Sequence, residues 1–495
     1  MKRIIVTEVS FIVAERVYLR GSNYIYLLRK RKELPLLENV LITDIASEGN
    51  AVGKADNMVV FVPMVAPGDI IDVKVTRKRK NYMEGRPVRF HSYSDYRVEP
   101  VCDHFGICGG CKLQHLAYDR QLYYKEKIVR DNLTRIGKVD IPVISPIIGS
   151  EDQFLYRNKL EYTFSSKRWL TDDEINEAGE VRQLNALGFH IMGYFDKVLD
   201  IRQCHLQPEP TNAIRNAVRE YSEKKKLDYF NHRDFSGFLR NLIIRTGSDG
   251  QVMVVVVFNH PDKNEIVELL DFIISSFPGI TSLMYVINKK RNDSIADLDV
   301  IPYYGQDHLI ENVDGLEFRI GPKSFFQTNL KQSVSMYRIV KEYASLTGEE
   351  TVYDLYTGTG TIANYVAAGA KKVIGVEYVD EAVKDAEMNS SLNNISNTSF
   401  YSGDLKDILT PSFIETAGRP DVIITDPPRS GMHPGVIKSI IGCKPKRIVY
   451  VSCNPATQAR DLSMLSEHYT VKKVQPLDMF PQTPHVENIV LLDPR

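Results

Sequence analysis

The segment ETVYDLYTGTGTI, residues 350–362, decides the fold of the C-terminal part of this 495-residue chain. An apolar stretch typical of a buried strand runs into Gly358 and Gly360 and then into a helix-forming stretch. Further apolar segments, KKVIGVEY, PDVIITDPP and KRIVYVSC, alternate with helical stretches from about residue 345 onward. This alternation predicts a doubly wound α/β domain with a parallel sheet.

The chain is long enough for further domains upstream. Residues 36–95 alternate apolar and polar positions between Gly and Pro turns, which predicts a small β-barrel suited to RNA binding. Residues 96–340 mix strands and helices and predict a central α+β domain, with a charged insertion near Trp169–Arg182. We therefore expect a multidomain α/β protein with a Rossmann-like domain at residues 341–495, and we predict no role for residues 1–35.

Composition is that of an ordinary folded protein, with 43% hydrophobic and 25% charged residues. The longest apolar run, VMVVVVF at residues 252–258, is too short to cross a bilayer and predicts a buried strand. The N-terminal segment has acidic residues within its apolar part and no small-residue cleavage site, so we do not interpret it as a signal peptide. A cytoplasmic, monomeric protein with no membrane partner is the expectation.

Net charge is −1, which does not favour nucleic acid by itself, but charge is unevenly distributed. Between residues 74 and 89 seven basic residues accompany one acid, Glu84. Such a run suits contacts with a phosphate backbone. Taken alone, it more often forms the solvated face of a β-hairpin. The candidate RNA contacts are Arg77, Lys78, Arg79 and Lys80.

Several polar residues end successive strands of the C-terminal domain. Ligands bind outside the carboxyl ends of the strands in open α/β sheets, so these residues should share one edge. Gly358 would let the backbone approach a ligand closely, and Glu377, at the end of the next strand, would accept hydrogen bonds from ribose hydroxyls. The pattern predicts a site for a nucleoside-containing cofactor, bordered by Asp354, Gly358, Glu377, Asp426 and Cys453.

A thiol at this edge suggests a reaction, whereas a packing cysteine is the structural alternative. A thiolate that adds to carbon 6 of a pyrimidine makes carbon 5 nucleophilic enough to attack a methyl sulfonium, and a base must then remove the carbon-5 proton. Glu487, in TPHVENIVLL, is the candidate base for Cys453. Its alternative is an ordinary surface glutamate beside a structural His485.

A second cysteine group lies in CDHFGICGGC, residues 102–111. The Cx5Cx2C spacing of Cys102, Cys108 and Cys111 favours a metal or cluster, and Cys204 is a plausible fourth ligand. Four thiolates can hold zinc or an iron–sulfur cluster, and the spacing does not decide between them.

The motifs DLYTGTG, DPPRSG, SCNPAT, HVEN and FFQTN, together with the cysteine group, make the chain resemble the RNA uracil-5-methyltransferases from about residue 36 to its end. The resemblance implies an N-terminal TRAM barrel and a central domain with a [4Fe-4S] cluster. It also implies a C-terminal methyltransferase domain that uses S-adenosylmethionine.

The resemblance also implies roles for individual residues. Cys453 matches the nucleophile, Glu487 the proton-abstracting glutamate, and Phe325 an aromatic residue near the target base. Contacts to S-adenosylmethionine are implied for Gln327, Tyr356, Glu377 and Asp426, with Asp404 near the adenine. Ligation of the iron–sulfur cluster is implied for Cys102, Cys108, Cys111 and Cys204.

Members with both barrel and cluster resemble the 23S ribosomal RNA enzymes, so a specific uridine of that RNA is the expected substrate and transfer RNA the alternative. A binding protein without catalysis would tolerate loss of the nucleophile or the base, yet both stand in full motifs. A radical methylthiolation enzyme would need a CxxxCxxC motif, which the chain lacks. Adenine-N6 methylation would need an aromatic residue where this chain has Arg429.

Overall fold

The computed structural model of the protein describes residues 34–171, 174–175 and 184–495. Nearly all of the N-terminal extension and most of the charged insertion therefore lie outside the described residues. The described strands form a closed barrel, an eight-stranded sheet, a two-stranded hairpin and a seven-stranded sheet.

The predicted small barrel is a closed barrel of five strands in the order β1-β2-β3-β5-β4. Its interior is filled by alternating apolar side chains such as Val60, Ile71 and Met83, all fully buried. The strands are β1 (Leu36–Ile45), β2 (Ala51–Ala55), β3 (Met58–Val62), β4 (Ile70–Lys78) and β5 (Tyr82–Ser92).

The central part contains an eight-stranded sheet in the order β13-β12-β11-β10-β6-β8-β9-β7. Two helices, α2 and α3, pack on one face, and the predicted buried strand VMVVVVF is β11, in which every residue is buried. The strands are β6 (Lys159–Ser165), β7 (Arg168–Trp169), β8 (Ala186–His190), β9 (Val198–Asp200), β10 (Leu239–Thr246), β11 (Val252–Phe258), β12 (Ser282–Ile287) and β13 (Ile301–Gly305). The remaining elements are α1 (Tyr118–Asn132), a π-helical turn (Leu133–Gly137), α2 (Thr211–Lys224), α3 (Lys263–Ser276) and the hairpin strands β14 (Leu309–Val313) and β15 (Leu316–Ile320).

The C-terminal domain is the predicted doubly wound α/β domain, with a seven-stranded sheet in the order β18-β17-β16-β19-β20-β22-β21. The first five strands are parallel, whereas β22 runs antiparallel between β20 and β21. The strands are β16 (Thr351–Leu355), β17 (Lys372–Glu377), β18 (Thr398–Ser402), β19 (Val422–Thr425), β20 (Arg447–Ser452), β21 (Tyr469–Leu477) and β22 (Glu487–Pro494). The helices are α4 (Leu330–Ala344), α5 (Thr361–Ala367), α6 (Asp380–Leu392), α7 (Leu405–Ile408), α8 (Pro411–Ala417), α9 (Pro434–Cys443) and α10 (Pro455–Leu465).

Chain order in this sheet reverses between β16 and β19. Such a switch point opens a crevice at the carboxyl ends of the strands, where ligands bind in this class of fold. Apolar side chains cover both faces of the sheet, as a parallel sheet requires. The open carboxyl edge is therefore where a site can form.

Helix α1 packs on the C-terminal domain, although it precedes the central sheet in the chain. Its buried Lys125 donates from Nζ to Oδ1 of Asp478, which follows β21, over 2.6 Å. At the end of the π-helical turn, Gly137 lies so close to α10 that an added Cβ would meet the Ala459 carbonyl oxygen at 3.1 Å. The predicted boundary at residues 340–341 falls inside α4.

Candidate active site

The residues expected at one edge of the C-terminal sheet do lie at the carboxyl ends of adjacent parallel strands. Asp354 is the fourth residue of β16, Glu377 ends β17, Asp426 directly follows β19 and Cys453 directly follows β20. In-register parallel pairing of these strands sets their ends side by side. The structure therefore brings together the thiol, three carboxyl groups and the glycine loop.

The glycine loop after β16 leaves space for a ligand at one of its two glycines. Gly358 has φ +56°, and a Cβ added there would contact no atom within 4 Å. Gly360 has φ +74°, and its added Cβ would lie 2.8 Å from Cβ of Ala386 on α6. Gly360 is thus required for helix packing, whereas Gly358 faces open space.

Glu377 is bound to this loop by backbone hydrogen bonds. Its Oε2 accepts from Gly358 N at 3.0 Å, and its Oε1 accepts from Tyr378 N at 2.9 Å and Val379 N at 3.1 Å. A carboxylate has about four acceptor positions, so about one remains on Oε2. A single hydroxyl group can bind there without displacing the loop.

The carboxyl groups of the site disfavour one another's ionisation. Burial, with the neighbouring Glu377 as a smaller cause, raises the pKa of Asp354 to about 7. Burial and then the charge of Asp354 raise the pKa of Asp426 to about 7 as well. Thr357 Oγ1 donates to Asp354 Oδ2 over 2.5 Å, while Oδ1 has no hydrogen-bond partner among the described residues. The buried Asp354 and the half-buried Asp426 form no ion pair with any of the described residues, so these carboxyl groups favour a cationic or hydrogen-bonding ligand.

Cys453 and Glu487 lie where β20 ends and β22 begins. Ser452, the last residue of β20, pairs with Asn488 of β22, and Cys453 and Glu487 are the next residues beyond this pair. The charge of Glu487 contributes to the raised pKa of the Cys453 thiol, so the two groups are close to each other. The antiparallel insertion of β22 is what brings the carboxyl group to the thiol.

The electrostatics of this pair keep both groups protonated near neutral pH in the ligand-free protein. Burial raises the pKa of Glu487 to about 8, with Asp426 as the second cause. Burial and the charges of Glu487 and Asp426 raise the pKa of Cys453 to about 11, and the guanidinium of Arg429 partly opposes them. A thiolate at Cys453 therefore needs additional positive charge at the site.

Arg429 and His485 belong to this site, and sequence reasoning missed them. Burial and the charge of Arg429 lower the pKa of His485 to about 4, so the imidazole is neutral and accepts a hydrogen bond from Arg429 Nη2 at 3.2 Å. The carbonyl oxygen of Arg429 accepts from Asn454 Nδ2 at 3.0 Å. Arg429 and His485 lie within the motifs DPPRSG and HVEN, so the sequence contained the information needed to find them.

The loop that precedes Glu487 is held by buried polar contacts with α1. Asp478 accepts from Lys125 Nζ and, at Oδ2, from Tyr118 Oη at 2.9 Å. Gln121 exchanges two hydrogen bonds with Gln482, at 3.0 and 3.1 Å. These contacts join residues that are more than 350 positions apart in the sequence. They fix the position of the strand that carries Glu487.

A second anchor, also missed by sequence reasoning, is the buried Asp461 on α10. Its Oδ2 accepts from Met432 N at 2.8 Å and from Tyr450 Oη at 2.7 Å. A Cβ at Gly431 would lie 2.7 Å from the same oxygen. Asp461 thus links α10, the helix that follows Cys453, to the end of the loop that contains Arg429.

Two of the other predicted cofactor contacts, Tyr356 and Asp404, follow strands of the C-terminal sheet at the same edge. Tyr356 follows β16 with φ +64°, and burial raises the pKa of its hydroxyl to about 12. Asp404 is the N-cap of α7 and forms an exposed ion pair with Lys406 at 2.9 Å. The carbonyl oxygen of Gln327 accepts from Asn158 Nδ2 at 3.1 Å, which joins the segment FFQTN to the central part.

The four cysteines of the second group line one cavity of about 420 Å³ in the central part. Phe325, whose side chain is 72% exposed, and Phe326 line the same cavity, so it adjoins the segment FFQTN. Among the described residues, no three of the sulfur atoms lie within 4.8 Å of one another. The predicted ligands are thus brought together around a shared space: Cys102, Cys108, Cys111 and Cys204. By contrast, Cys443 is the last residue of α9 and is buried in the core of the C-terminal domain.

The basic residues Arg77, Lys78, Arg79 and Lys80, here called the basic turn, are all exposed at the end of β4 and in the turn that leads to β5. Arg77 forms an exposed ion pair with Glu84 at 3.4 Å. Tyr82 packs edge-on against Phe61, with ring centroids 5.7 Å apart, so its ring is only partly accessible for stacking. The basic turn therefore offers charge to the solvent rather than an aromatic platform.

Two family models match the chain. The tRNA (uracil-5-)-methyltransferase model matches residues 303–495, which include β16–β22 and the candidate site. The TRAM domain model matches residues 38–88, which form the barrel. The site and the barrel thus correspond to the two units that the models describe.

Known relatives resemble nearly the whole chain. A Bacteroides thetaiotaomicron protein named as an RNA methyltransferase is 56% identical over 91% of this chain and 100% of its own length. A Porphyromonas gingivalis protein of the same name is 55% identical over 91% of this chain and 98% of its own. Among solved structures, the tRNA (uracil-54, C5)-methyltransferase of Pyrococcus abyssi, in complex with S-adenosyl-L-homocysteine, is similar. It has a TM-score of 0.71 and 29% identity over 91% of this chain and 99% of that one.

The fold and site are those of a methyltransferase that uses S-adenosylmethionine. More particularly, the chain belongs to the RNA uracil-5-methyltransferase family. Within the part of the chain that the structure describes, we find no helix with the length and hydropathy needed to cross a membrane.

Proposed function

We propose that this protein methylates carbon 5 of a uridine in folded RNA through a covalent adduct at Cys453. The observation that supports the proposal most directly is the proximity of Cys453 and Glu487, one residue beyond the last pair of β20 and β22, at the edge that carries the glycine loop. The mechanism needs a thiol nucleophile and a carboxylate base next to one pyrimidine ring. Because a stacked base hides carbon 6, the uridine would have to be flipped out of the RNA.

The half-exposed Cys453 thiol first loses its proton to solvent, and the first step is attack of the resulting thiolate on carbon 6. This forms the S–C6 bond, and the electron pair of the C5–C6 double bond becomes available at carbon 5. S-adenosylmethionine supplies the methyl group, as an electrophile on a positively charged sulfur. Since the carboxylates of Glu487 and Asp426 raise the pKa of Cys453, a cationic ligand at this edge, together with Arg429, favours the thiolate.

The second step belongs to Glu487. A cationic ligand at this edge also favours loss of the Glu487 proton to solvent before the reaction, and once Cys453 is bonded to carbon 6 its sulfur is neutral, so the Glu487 carboxylate no longer faces a neighbouring thiolate. The carboxylate takes the carbon-5 proton, the C5–C6 double bond re-forms, and the S–C6 bond breaks to release the thiolate. Burial of Glu487, which is 4% exposed, keeps water from competing for this proton.

The cysteine group supports a [4Fe-4S] cluster better than a single zinc ion. Tetrahedral zinc with sulfur ligands at about 2.3 Å spaces the sulfur atoms about 3.8 Å apart. The four thiols of this chain line one cavity of about 420 Å³, which offers room for a group larger than one ion. Cys102, Cys108, Cys111 and Cys204 would hold the cluster, and with four protein ligands it would serve structure or RNA docking rather than catalysis.

For the substrate we propose 23S ribosomal RNA, on the resemblance to family members that have both barrel and cluster. Transfer RNA is the second candidate, because the Pyrococcus abyssi neighbour that matches 91% of this chain is named as a tRNA (uracil-54, C5)-methyltransferase. The exposed basic turn is suited to the phosphate backbone of either RNA.

A trapping experiment tests the mechanism and the substrate together. Anaerobically purified protein is mixed with S-adenosylmethionine and with ribosomal or transfer RNA containing 5-fluorouridine. Fluorine cannot leave as a proton, so the reaction should stop at the adduct and give a denaturation-resistant protein–RNA complex. Sequencing of the attached RNA identifies the uridine.

Two variants control this experiment. Cys453→Ala should give no adduct, whereas Cys443→Ala, which removes a thiol from the core, should still give it. Absence of an adduct with both RNAs, from wild-type protein that binds S-adenosylhomocysteine, would contradict covalent catalysis. An adduct with transfer RNA alone would indicate that transfer RNA, and not ribosomal RNA, is the substrate.

A further inference from the structure

The side chains of two histidines and one aspartate meet at one end of the central sheet, and none of the three is a predicted ligand of the cysteine group, although Cys108 pairs with Ile191, next to His190. His190 ends β8, His232 lies in the turn after α2, and Asp293 lies in the loop after β12. One ligand atom from each side chain lies within 4.8 Å of the other two. The three residues come from separate segments of the chain, so only the tertiary structure assembles them.

The histidine nitrogens of this cluster lack partners. Both ring nitrogens of His232 and Nδ1 of His190 are buried, and none has a hydrogen-bond partner within residues 34–171, 174–175 and 184–495. The two imidazole rings meet edge to face, with centroids 5.3 Å apart and an interplanar angle of 84°. A buried, unpaired imidazole nitrogen costs free energy unless it binds a ligand.

Arg240 holds the carboxylate of Asp293 through one of its two oxygens. Asp293 Oδ1 accepts from Arg240 Nη2 at 2.7 Å, which leaves Oδ2 available. The Nη1 atom of the same guanidinium donates to the carbonyl oxygens of Asn288 and Lys290, at 2.7 and 2.6 Å. Metal-binding carboxylates are commonly held in this way by a second hydrogen bond.

We propose that His190, His232 and Asp293 bind one divalent transition-metal ion of the zinc type, with a fourth position open to water. Two imidazoles and a carboxylate suit such an ion. Tetrahedral zinc with ligands at about 2.0–2.1 Å spaces those atoms about 3.3–3.4 Å apart. The observed limit of 4.8 Å therefore requires only small side-chain rotations. The Arg240 charge is matched by Asp293, and nearby Asp196 forms an ion pair with Arg233.

The ion would hold three segments together, two of which are followed closely by exposed aromatic side chains. Phe195, five residues after His190, is 70% exposed, and Phe235, three residues after His232, is 38% exposed. Arg291, two residues before Asp293, lies over the Phe235 ring at 5.2 Å from its centroid. Binding of the ion would therefore order this aromatic surface. The site itself does not depend on the proposed methylation mechanism.

Cobalt(II) titration of the whole protein, purified with any iron that it carries, tests the site. Cobalt bound by imidazole and carboxylate gives weak visible bands without the strong near-ultraviolet sulfur-to-cobalt band of a thiolate site. We expect about one such ion per chain, displaced by zinc. Zinc should also raise the Tm of the wild-type protein, because it binds the folded chain.

The variants decide the outcome. His232→Ala and Asp293→Asn should each weaken cobalt binding at least about 10–100-fold and abolish the zinc-dependent rise in Tm. The exposed His468→Ala should bind cobalt as the wild type does. Because Asp293 is exposed, its variant keeps the test valid if His232→Ala fails to fold. Cobalt bands that all carry the sulfur transition, or equal binding by Asp293→Asn, would overturn the proposal.

Discussion

Replacement of Glu487 by glutamine should stabilise the ligand-free protein while it stops turnover. Burial, followed by the charge of Asp426, raises the pKa of Glu487 from 4.5 to about 8. Below pH 4.5 this carboxyl group is protonated in both the folded and the unfolded chain, so it costs no stability. Between pH 4.5 and about 8 the unfolded chain ionises Glu487 while the folded chain keeps the proton, so the free energy of unfolding falls as pH rises.

The size of the effect follows from the same pKa. Each pH unit in this window costs about 1.4 kcal/mol. At pH 7, about 2.5 units above 4.5, Glu487 therefore destabilises the fold by about 3 kcal/mol, and at pH 5 by less than about 1 kcal/mol. Glu487→Gln keeps the shape of the side chain and removes this cost.

Urea denaturation of the C-terminal domain within the intact protein, at pH 5 and pH 7, measures the difference. The exposed Glu38→Gln on the barrel serves as the control and should change stability little at either pH. A Glu487→Gln variant no more stable than wild type at pH 7, or equally stabilised at both pH values, would refute the argument from burial. In the presence of substrate, the same variant should accumulate the methylated adduct at Cys453, since the carbon-5 proton then has no base.

Three further predictions concern the frame of the site and the RNA surface. Lys125→Met should lower the free energy of unfolding by about 3–5 kcal/mol in urea denaturation, because it leaves Asp478 buried without its partner. A Lys125→Met/Asp478→Leu double variant should recover much of that loss. A Lys125→Met variant as stable as the wild type would contradict this prediction. Gly360→Ala should destabilise the fold through contact of its Cβ with α6, whereas Gly358→Ala should mainly weaken S-adenosylhomocysteine binding in calorimetry. The reverse pattern would exclude our assignment of Gly360 to helix packing and of Gly358 to the ligand site. Neutralising the basic turn should weaken RNA binding and reduce the slope of log affinity against log salt by up to about 3 for single-stranded contacts, and an unchanged slope would remove the turn from the interface.

The arrangement of strands and helices was readable from local sequence. The closed barrel and the α/β domain follow from apolar periodicity and from turn residues, which act over a few positions. The position of Cys453 and Asp426 at the sheet edge followed for the same reason, since each residue ends an apolar stretch. The full motifs also carried the family resemblance.

Charge states and long-range partners were not readable in this way. Arg429 and His485 stood in quoted motifs, but their contact depends on two loops that meet only in the folded protein. The raised pKa values of Asp354, Asp426 and Glu487 depend on burial and on one another, neither of which the chain order reveals.

The local pattern of residues thus determined which chemical groups this enzyme family member carries and at which strand ends they stand. The tertiary structure decided how those groups act on one another. An antiparallel β22 places Glu487 close to Cys453, and α1 fixes the loop before it through a buried ion pair. The cluster of His190, His232 and Asp293 likewise arises from three distant segments. The physical reason is that strand and turn preferences act between near neighbours, whereas desolvation, ion pairing and metal ligation depend on distances in space.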